Sequence, residues 1–136
     1  MSMPAQNRSY TTLAALRDTA RPLLIFAGPG DSRAQQQYAI LSAHAANARE
    51  RDMRVALLTT APIRLQDGSR PPEASFSSGE QAHLRQRFHI APGEFTVILV
   101  GKDGGEKLRS SDVIPWQKLA STIDSMPMRR DEMKQR

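Results

Sequence analysis

The hydrophobic residues of the chain fall into two patterns, continuous runs and helically spaced positions. Residues 23–27, 55–60 and 95–100 are apolar runs typical of strands buried on both faces. Residues 106–109 follow a tight-turn sequence and predict a short antiparallel strand. Helical spacing predicts four helices: residues 10–20, residues 33–51, a helix opened by the capping box Ser77-x-x-Glu80, and a last helix that begins at Pro115 and ends at Pro127.

This order of elements predicts an α/β domain. Two buried strands joined by a helix should run parallel, with a right-handed crossover. The final hairpin then adds an antiparallel edge. The prediction is a three-layer α/β/α architecture of the thioredoxin-like type, with a mixed four-stranded sheet and an extra N-terminal helix. Ferredoxin-like and other small α/β folds are alternatives to this topology.

A length of 136 residues suits one domain with one core. We expect a flexible leader at 1–9, the domain at 10–125, and a charged tail rich in Met and Arg at 126–136. The long loop at 61–77 should be either functional or mobile. Because the amino end is polar and no apolar run approaches the length of a membrane span, we expect a cytoplasmic protein without a signal peptide.

Composition excludes several classes of chemistry. The chain has no cysteine, which excludes disulfides, thiolate metal sites, thiol peroxidase activity and disulfide oxidoreductase activity. The three histidines lack the spacing of a zinc site, so no metal or other cofactor is expected. The net charge of +5 is spread along the chain, and aromatic residues do not alternate with the basic ones. Both observations argue against nucleic acid as the main partner.

Four runs of the sequence carry a family resemblance. They are residues 21–27 (RPLLIFA), 50–53 (ERDM), 95–109 (FTVILVGKDGGEKLR) and 123–133 (IDSMPMRRDEM). With these runs the chain resembles domain of unknown function 4174 over about residues 10–134. Similar modules occur in bacterial proteins and in secreted animal matrix proteins with sushi repeats. The resemblance implies a thioredoxin-like, peroxiredoxin-related fold and supplies no catalytic residues.

The turn after the first strand is the first candidate site, because thioredoxins and peroxiredoxins hold their reactive cysteine at this position. A helix N-terminus here offers backbone N–H groups to an anion. The alternative is a capped strand-to-helix turn without a ligand. Arg109 could reach a ligand or pair with a local carboxylate, and Ser32 has no adjacent base that would make it a nucleophile. The candidate ligand-binding residues are Gly28, Gly30, Asp31, Ser32, Arg33 and Arg109.

The tail is the second candidate site. Methionine is adaptable and common at binding surfaces, and neighbouring arginines suit an acidic partner. The alternative is that Met126 and Met128 cover the domain's own core while the charges stay solvated. The candidate partner-binding residues are Met126, Met128, Arg129, Arg130 and Met133.

The function expected from these features is a cysteine-free binding module for an unknown protein or a small anionic ligand. An alternative is a non-redox enzyme that uses the helix N-terminus at residues 28–33 on an anionic substrate. A third possibility is weak association with nucleic acid or an anionic surface through the net charge, which would depend steeply on salt. No catalytic residue is assigned.

Overall fold

The computed structural model describes residues 9–60 and 63–135. The leader predicted over residues 1–9 therefore lies outside the described residues, apart from Ser9, and so do two residues of the loop at 61–77. No helix in the described ranges has both the length and the apolar character needed to cross a membrane.

Four strands form one mixed sheet in the order β2-β1-β3-β4. The strands are β1 (Arg21–Phe26), β2 (Met53–Leu58), β3 (Thr96–Val100) and β4 (Glu106–Ser110). β1 runs parallel to β2 and antiparallel to β3, and β4 runs antiparallel to β3. The mixed four-stranded sheet predicted from the apolar runs is confirmed.

Both faces of the central strands β1 and β3 are buried, as continuous apolar strands require. The helices are α1 (Ser32–Ala43), α2 (Ala45–Glu50), α3 (Ser78–Arg87), α4 (Trp116–Asp124) and α5 (Pro127–Lys134). Leu23 and Ile25 pack with buried residues of α1 and α4 on one face. Leu24 and Phe26 pack with Leu84 of α3 on the other face. The domain has the three layers that the sequence predicts.

The helix predicted over residues 33–51 is two helices that meet at His44. This residue has φ −117° and ψ 32°, which is not helical. Its Nδ1 lies 3.0 Å from the carbonyl oxygen of Ile40. Its ring stacks on Trp116, with centroids 4.8 Å apart. These contacts of the imidazole accompany the break, which the apolar spacing alone does not indicate.

The helix predicted over residues 10–20 is only one 3-10 turn, Ala14–Leu16. The apolar residues that suggested a helix are nevertheless buried: Leu13, Leu16 and Ala20. The Leu13 N–H donates to the Glu80 carboxylate at 2.8 Å, and Asp18 has φ 71°. Because contacts with distant residues and a left-handed residue fix this backbone, a longer helix does not form.

The end predicted at Pro127 is wrong, because this residue begins α5 instead of ending the chain's last helix. Proline is well suited to the first helical position, where its missing N–H has no intrahelical partner. α4 ends just before, at Asp124, and Pro115 is its N-cap. Most of the segment predicted as a tail is therefore helical.

The capping box predicted at the start of α3 is half formed. Ser77 Oγ accepts a hydrogen bond from the Glu80 N–H at 3.2 Å. The Glu80 carboxylate does not bond back to Ser77 and accepts from Leu13 instead. Glu80 therefore ties the N-terminal segment to α3.

We expect Ser77→Ala to lower the free energy of unfolding by about 1 kcal/mol, because the Glu80 N–H loses its acceptor. Urea denaturation measures this change. The matched control is Ser78→Ala, at an exposed position one residue along. Equal losses in the two variants would contradict a capping role for Ser77.

Candidate functional site

An open cleft of about 370 Å³ lies at the carboxyl ends of the parallel strands β1 and β2. Residues after both strands and from the start of α1 line it. The lining residues are Gly28, Gly30, Asp31, Ala34, Gln35, Thr59, Ile63 and Arg64. Ligands of open α/β sheets commonly bind outside the carboxyl ends of the strands. The cleft therefore occupies a typical ligand position.

Two glycines shape the turn between β1 and α1. A Cβ atom at Gly28 would lie 3.2 Å from the Gly93 Cα, so the turn passes close to the loop before β3. Gly30 has φ +72°, in the left-handed region that favours glycine. Both positions have a structural reason for glycine that does not involve a ligand.

The Asp31 side chain caps the N-terminus of α1. Its Oδ1 accepts from the Arg33 backbone N–H at 3.0 Å. The Arg33 guanidinium donates to the same carboxylate at 3.1 and 2.8 Å and lies 4.6 Å from the centre of the Phe95 ring. The hydrogen bond from the Arg33 side chain lowers the pKa of Asp31 below its ordinary value. An external anion at this turn would have to compete with the Asp31 carboxylate.

Ser32 is exposed beside this pair. Within residues 9–60 and 63–135, no side chain forms a hydrogen bond with its hydroxyl. A serine nucleophile requires a base within hydrogen-bonding reach. The arrangement provides no such base in the described part of the chain.

Arg109 lies away from the cleft, on the edge strand β4. Its guanidinium donates twice to Glu106 at 3.1 Å and once to the Phe88 carbonyl at 3.0 Å. β3 and β1 lie between β4 and β2 in the sheet. The structure therefore brings Gly28, Gly30 and Asp31 together at the cleft, but leaves Arg109 outside it.

The cleft is also lined by three residues that were not predicted from the sequence: Gln35, Thr59 and Arg64. Arg64 is exposed, and the described residues form no ion pair with it. One sequence signal was available for Thr59 and Arg64. Parallel pairing of the first two strands places the residues that follow each strand at the same edge of the sheet.

The candidate residues of the tail separate into buried and exposed sets. Met126 and Arg129 are buried, with 8% and 1% of their surface exposed. Met128 and Met133 are exposed at 41% and 36%, and Arg130 is also exposed. Met128 therefore does not cover the core, and the charge of Arg129 is not solvated.

A network of ion pairs lies at the opposite end of β1 from the cleft. Arg21 is fully buried and donates to both carboxylate oxygens of Glu132, at 3.2 and 3.0 Å. Lys102 Nζ lies 2.8 Å from Glu132 Oε2 and 2.8 Å from Asp52 Oδ2. These pairs join α5 to the start of β1, the turn before β2 and the turn between β3 and β4.

Arg129 forms the second half of the network. Its guanidinium donates to Glu50 Oε2 at 2.7 Å, to the Glu50 carbonyl oxygen at 3.2 Å and to Asp124 Oδ1 at 3.2 Å. Arg51 donates to both oxygens of Asp124, at 3.2 and 3.0 Å. The ion-pair network thus contains the following eight side chains: Arg21, Glu50, Arg51, Asp52, Lys102, Asp124, Arg129 and Glu132.

The four runs that carry the family resemblance meet in this network. Each run contributes at least one of the paired side chains, although the runs are far apart in sequence. At least one residue of each run therefore lies at the end of the sheet opposite the cleft and forms an ion pair there.

Known structures with a similar fold include two thiol:disulfide interchange proteins. A thiol:disulfide interchange protein from a Bacteroides species has a TM-score of 0.56 and 14% identity, covering 80% of this chain and 74% of that one. A putative thiol:disulfide interchange protein, DsbE, from Chlorobium tepidum has a TM-score of 0.55 and 12% identity, covering 81% and 84%. AhpC of Mycobacterium tuberculosis has a TM-score of 0.57 and 11% identity, covering 85% and 72%.

At these identities the likeness concerns the fold alone, which is thioredoxin-like. A comparison with curated proteins gives no significant match. The model of a family described as domain of unknown function (DUF4174) matches residues 12–132, nearly the whole chain. The chain therefore belongs to the DUF4174 family.

Proposed function

We propose that this chain is a non-redox binding module whose ligand enters the cleft between α1 and the ends of β1 and β2. The observation that carries the proposal is the cleft itself, which lies at the carboxyl ends of two parallel strands. The chain has no cysteine to place there, so a thiol of its own takes no part. A preformed concave site of this kind suits recognition of a ligand.

The charges around the cleft favour an anionic group as ligand. Asp31 and Arg33 neutralise each other in a bidentate pair. Arg64 is a lining cation that no described carboxylate neutralises. Ala34 and Ile63 supply apolar surface beside it. The ligand is therefore a carboxylate or phosphate group, carried by a small molecule or a partner protein, and it pairs with Arg64 and not with Arg33.

Binding is preferred to catalysis for this site. The enzyme alternative needs a base beside Ser32, and no described side chain lies within hydrogen-bonding distance of that hydroxyl. That nucleic acid is not the main partner stays a prediction, as does the cytoplasmic location. Several of the basic side chains that a polyanion would need are engaged in internal ion pairs: Arg21, Arg33, Arg51, Lys102, Arg109 and Arg129.

We expect backbone amide NMR to locate the site. Titration with acetate, inorganic phosphate or a glutamate-rich peptide should shift the amides of Gly30, Gln35 and Arg64 in a saturable manner. Arg64→Glu should weaken binding about tenfold or more, because a charge-assisted hydrogen bond contributes roughly 1.5–3 kcal/mol.

The matched control is Arg70→Glu, an equally sized charge reversal in the same loop but outside the cleft. It should leave the affinity unchanged. Equal weakening by both variants would show a general charge effect and contradict the cleft. Amide shifts confined to a surface outside the cleft would also contradict the proposed site.

A further inference from the structure

The carboxylate of Glu132 is held as a bound ligand would be held. Arg21 Nη1 and Nη2 reach its two oxygens at 3.2 and 3.0 Å, and Lys102 Nζ adds a third contact at 2.8 Å. A planar guanidinium that donates twice, together with one ammonium group, matches the geometry by which proteins recognise carboxylates. Two cations thus converge on one acid.

The two cations lie at the start of β1 and in the turn between β3 and β4. Arg21 is the first residue of β1, its side chain is 0% exposed, and its Nη1 is fixed by the Arg51 carbonyl oxygen at 2.8 Å. Arg21 Nε is buried and has no hydrogen-bond partner within the described residues. Lys102 is anchored by Asp52 at 2.8 Å. Contacts that do not involve α5 therefore position both cations. The Nε donor of Arg21 is not used by any described residue.

The helix that supplies the carboxylate has little apolar attachment of its own. Across Pro127–Lys134, all of which the structure describes, Arg129 is the only buried residue. The exposed fraction of the Glu132 side chain is 27%, so one side of the contact is open to water. Docking of α5 therefore depends on ion pairs, and Met126 is the buried apolar residue that adjoins it.

We propose that Arg21 and Lys102 form a carboxylate-binding cradle that Glu132 occupies in cis. When α5 leaves, the cradle accepts another carboxylate, either a free small acid or an acidic side chain of a partner protein. α5 is then an internal ligand that keeps the cradle closed. This site is independent of the cleft, which lies at the other end of β1.

Chemical rescue of Glu132→Ala tests the cradle. The variant should melt at a lower temperature than the wild type, and sodium formate should raise its Tm saturably. Formate at ten times its dissociation constant should stabilise the variant by roughly 1.4 kcal/mol, which raises its Tm by a few degrees. Sodium chloride at equal ionic strength should not produce this shift. The double variant Arg21→Met with Glu132→Ala should not respond to formate, and an equal response would overturn the proposal.

Hydrogen exchange of the wild-type protein provides a second test that does not need a folded variant. Formate should accelerate exchange of the α5 amides several-fold over sodium chloride, because it binds the state in which α5 has left. The capped tripeptide Ala-Glu-Ala, compared with Ala-Gln-Ala, distinguishes the two possible carriers of the carboxylate, a free small acid and an acidic side chain. Acceleration by formate alone assigns the cradle to free acids, and acceleration by both assigns it to acidic side chains as well. Exchange that neither changes would overturn the proposal.

Discussion

Arg129→Ala is expected to lower the free energy of unfolding by about 3 kcal/mol, one of the two largest effects of a single substitution that we expect here. Arg129 is 1% exposed, and its guanidinium bonds to Glu50 and Asp124. Removing it takes this buried partner away from Glu50 and Asp124, which keep their pairs with Arg51, and leaves a void where the side chain packs. The loss falls at the lower end of the usual 3–5 kcal/mol because both carboxylates are about one-third exposed and keep part of their hydration.

The neighbouring Arg130 is the matched control for this prediction. It is exposed on the same helix, so Arg130→Ala should change stability by no more than about 0.5 kcal/mol. Thermal unfolding followed by circular dichroism should show a drop of roughly 10 °C for Arg129→Ala and almost none for the control. Similar curves for the two variants would mean that the buried ion pairs contribute little.

The sheet could be predicted from the sequence, whereas the N-terminal segment could not. A strand buried on both faces leaves a local signature, such as the five apolar residues from Leu23 to Ala27. The N-terminal segment has the apolar spacing of a helix, but its backbone is fixed by Glu80, 67 residues away from its partner Leu13. A local sequence pattern carries no information about a contact between residues so far apart in the chain.

The candidate site shows the same division between local and distant information. The sequence identified the turn at residues 28–33, because a strand followed by glycines and an N-cap is a local pattern. Arg33 and Arg109 were candidate ligand-binding residues, and the structure pairs them with carboxylates two and three residues away, which for Arg109 is the alternative left open by the sequence. Arg64 was missed although the predicted parallel pairing of β1 with β2 places the loop after β2 at the same edge of the sheet.

The burial of Arg129 has no local signal at all. Mixed charges at residues 129–134 are typical of a solvated helix surface, and arginine is rarely buried without partners. Its partner Glu50 comes from α2, far away in sequence, while Asp124 ends α4. Such a burial becomes intelligible only when the tertiary contacts are known.

The position of the network affects how binding experiments should be designed. Deleting residues 126–136 would remove both Arg129 and Glu132, and Arg21 would lose its carboxylate partner. Loss of a partner after this deletion would therefore report on stability and on binding together. Point changes at the cleft, far from α5, separate the two.

Acid is expected to weaken the fold through Glu132. Burial raises the pKa of this carboxyl group, but the hydrogen bonds and charges of Arg21 and Lys102 outweigh burial and lower its pKa to about 2, against an ordinary value of 4.5. A carboxyl group whose pKa is lowered by folding stabilises the protein above the unfolded pKa. That contribution, about 3 kcal/mol, should disappear as the pH falls from about 5 to about 2.

Glu132→Gln isolates this contribution, because the amide keeps the shape of the side chain and does not titrate. Other carboxyl groups with lowered pKa values, Asp31 and Asp124 among them, remain in both proteins and cancel in the comparison. Urea denaturation between pH 7 and pH 2.5 should give a difference of about 3 kcal/mol between the two proteins above pH 5. The difference should then shrink with acid, since protonated glutamic acid is as neutral as glutamine. A difference that stays constant with pH would show that Glu132 stabilises the fold by its shape and not by its charge.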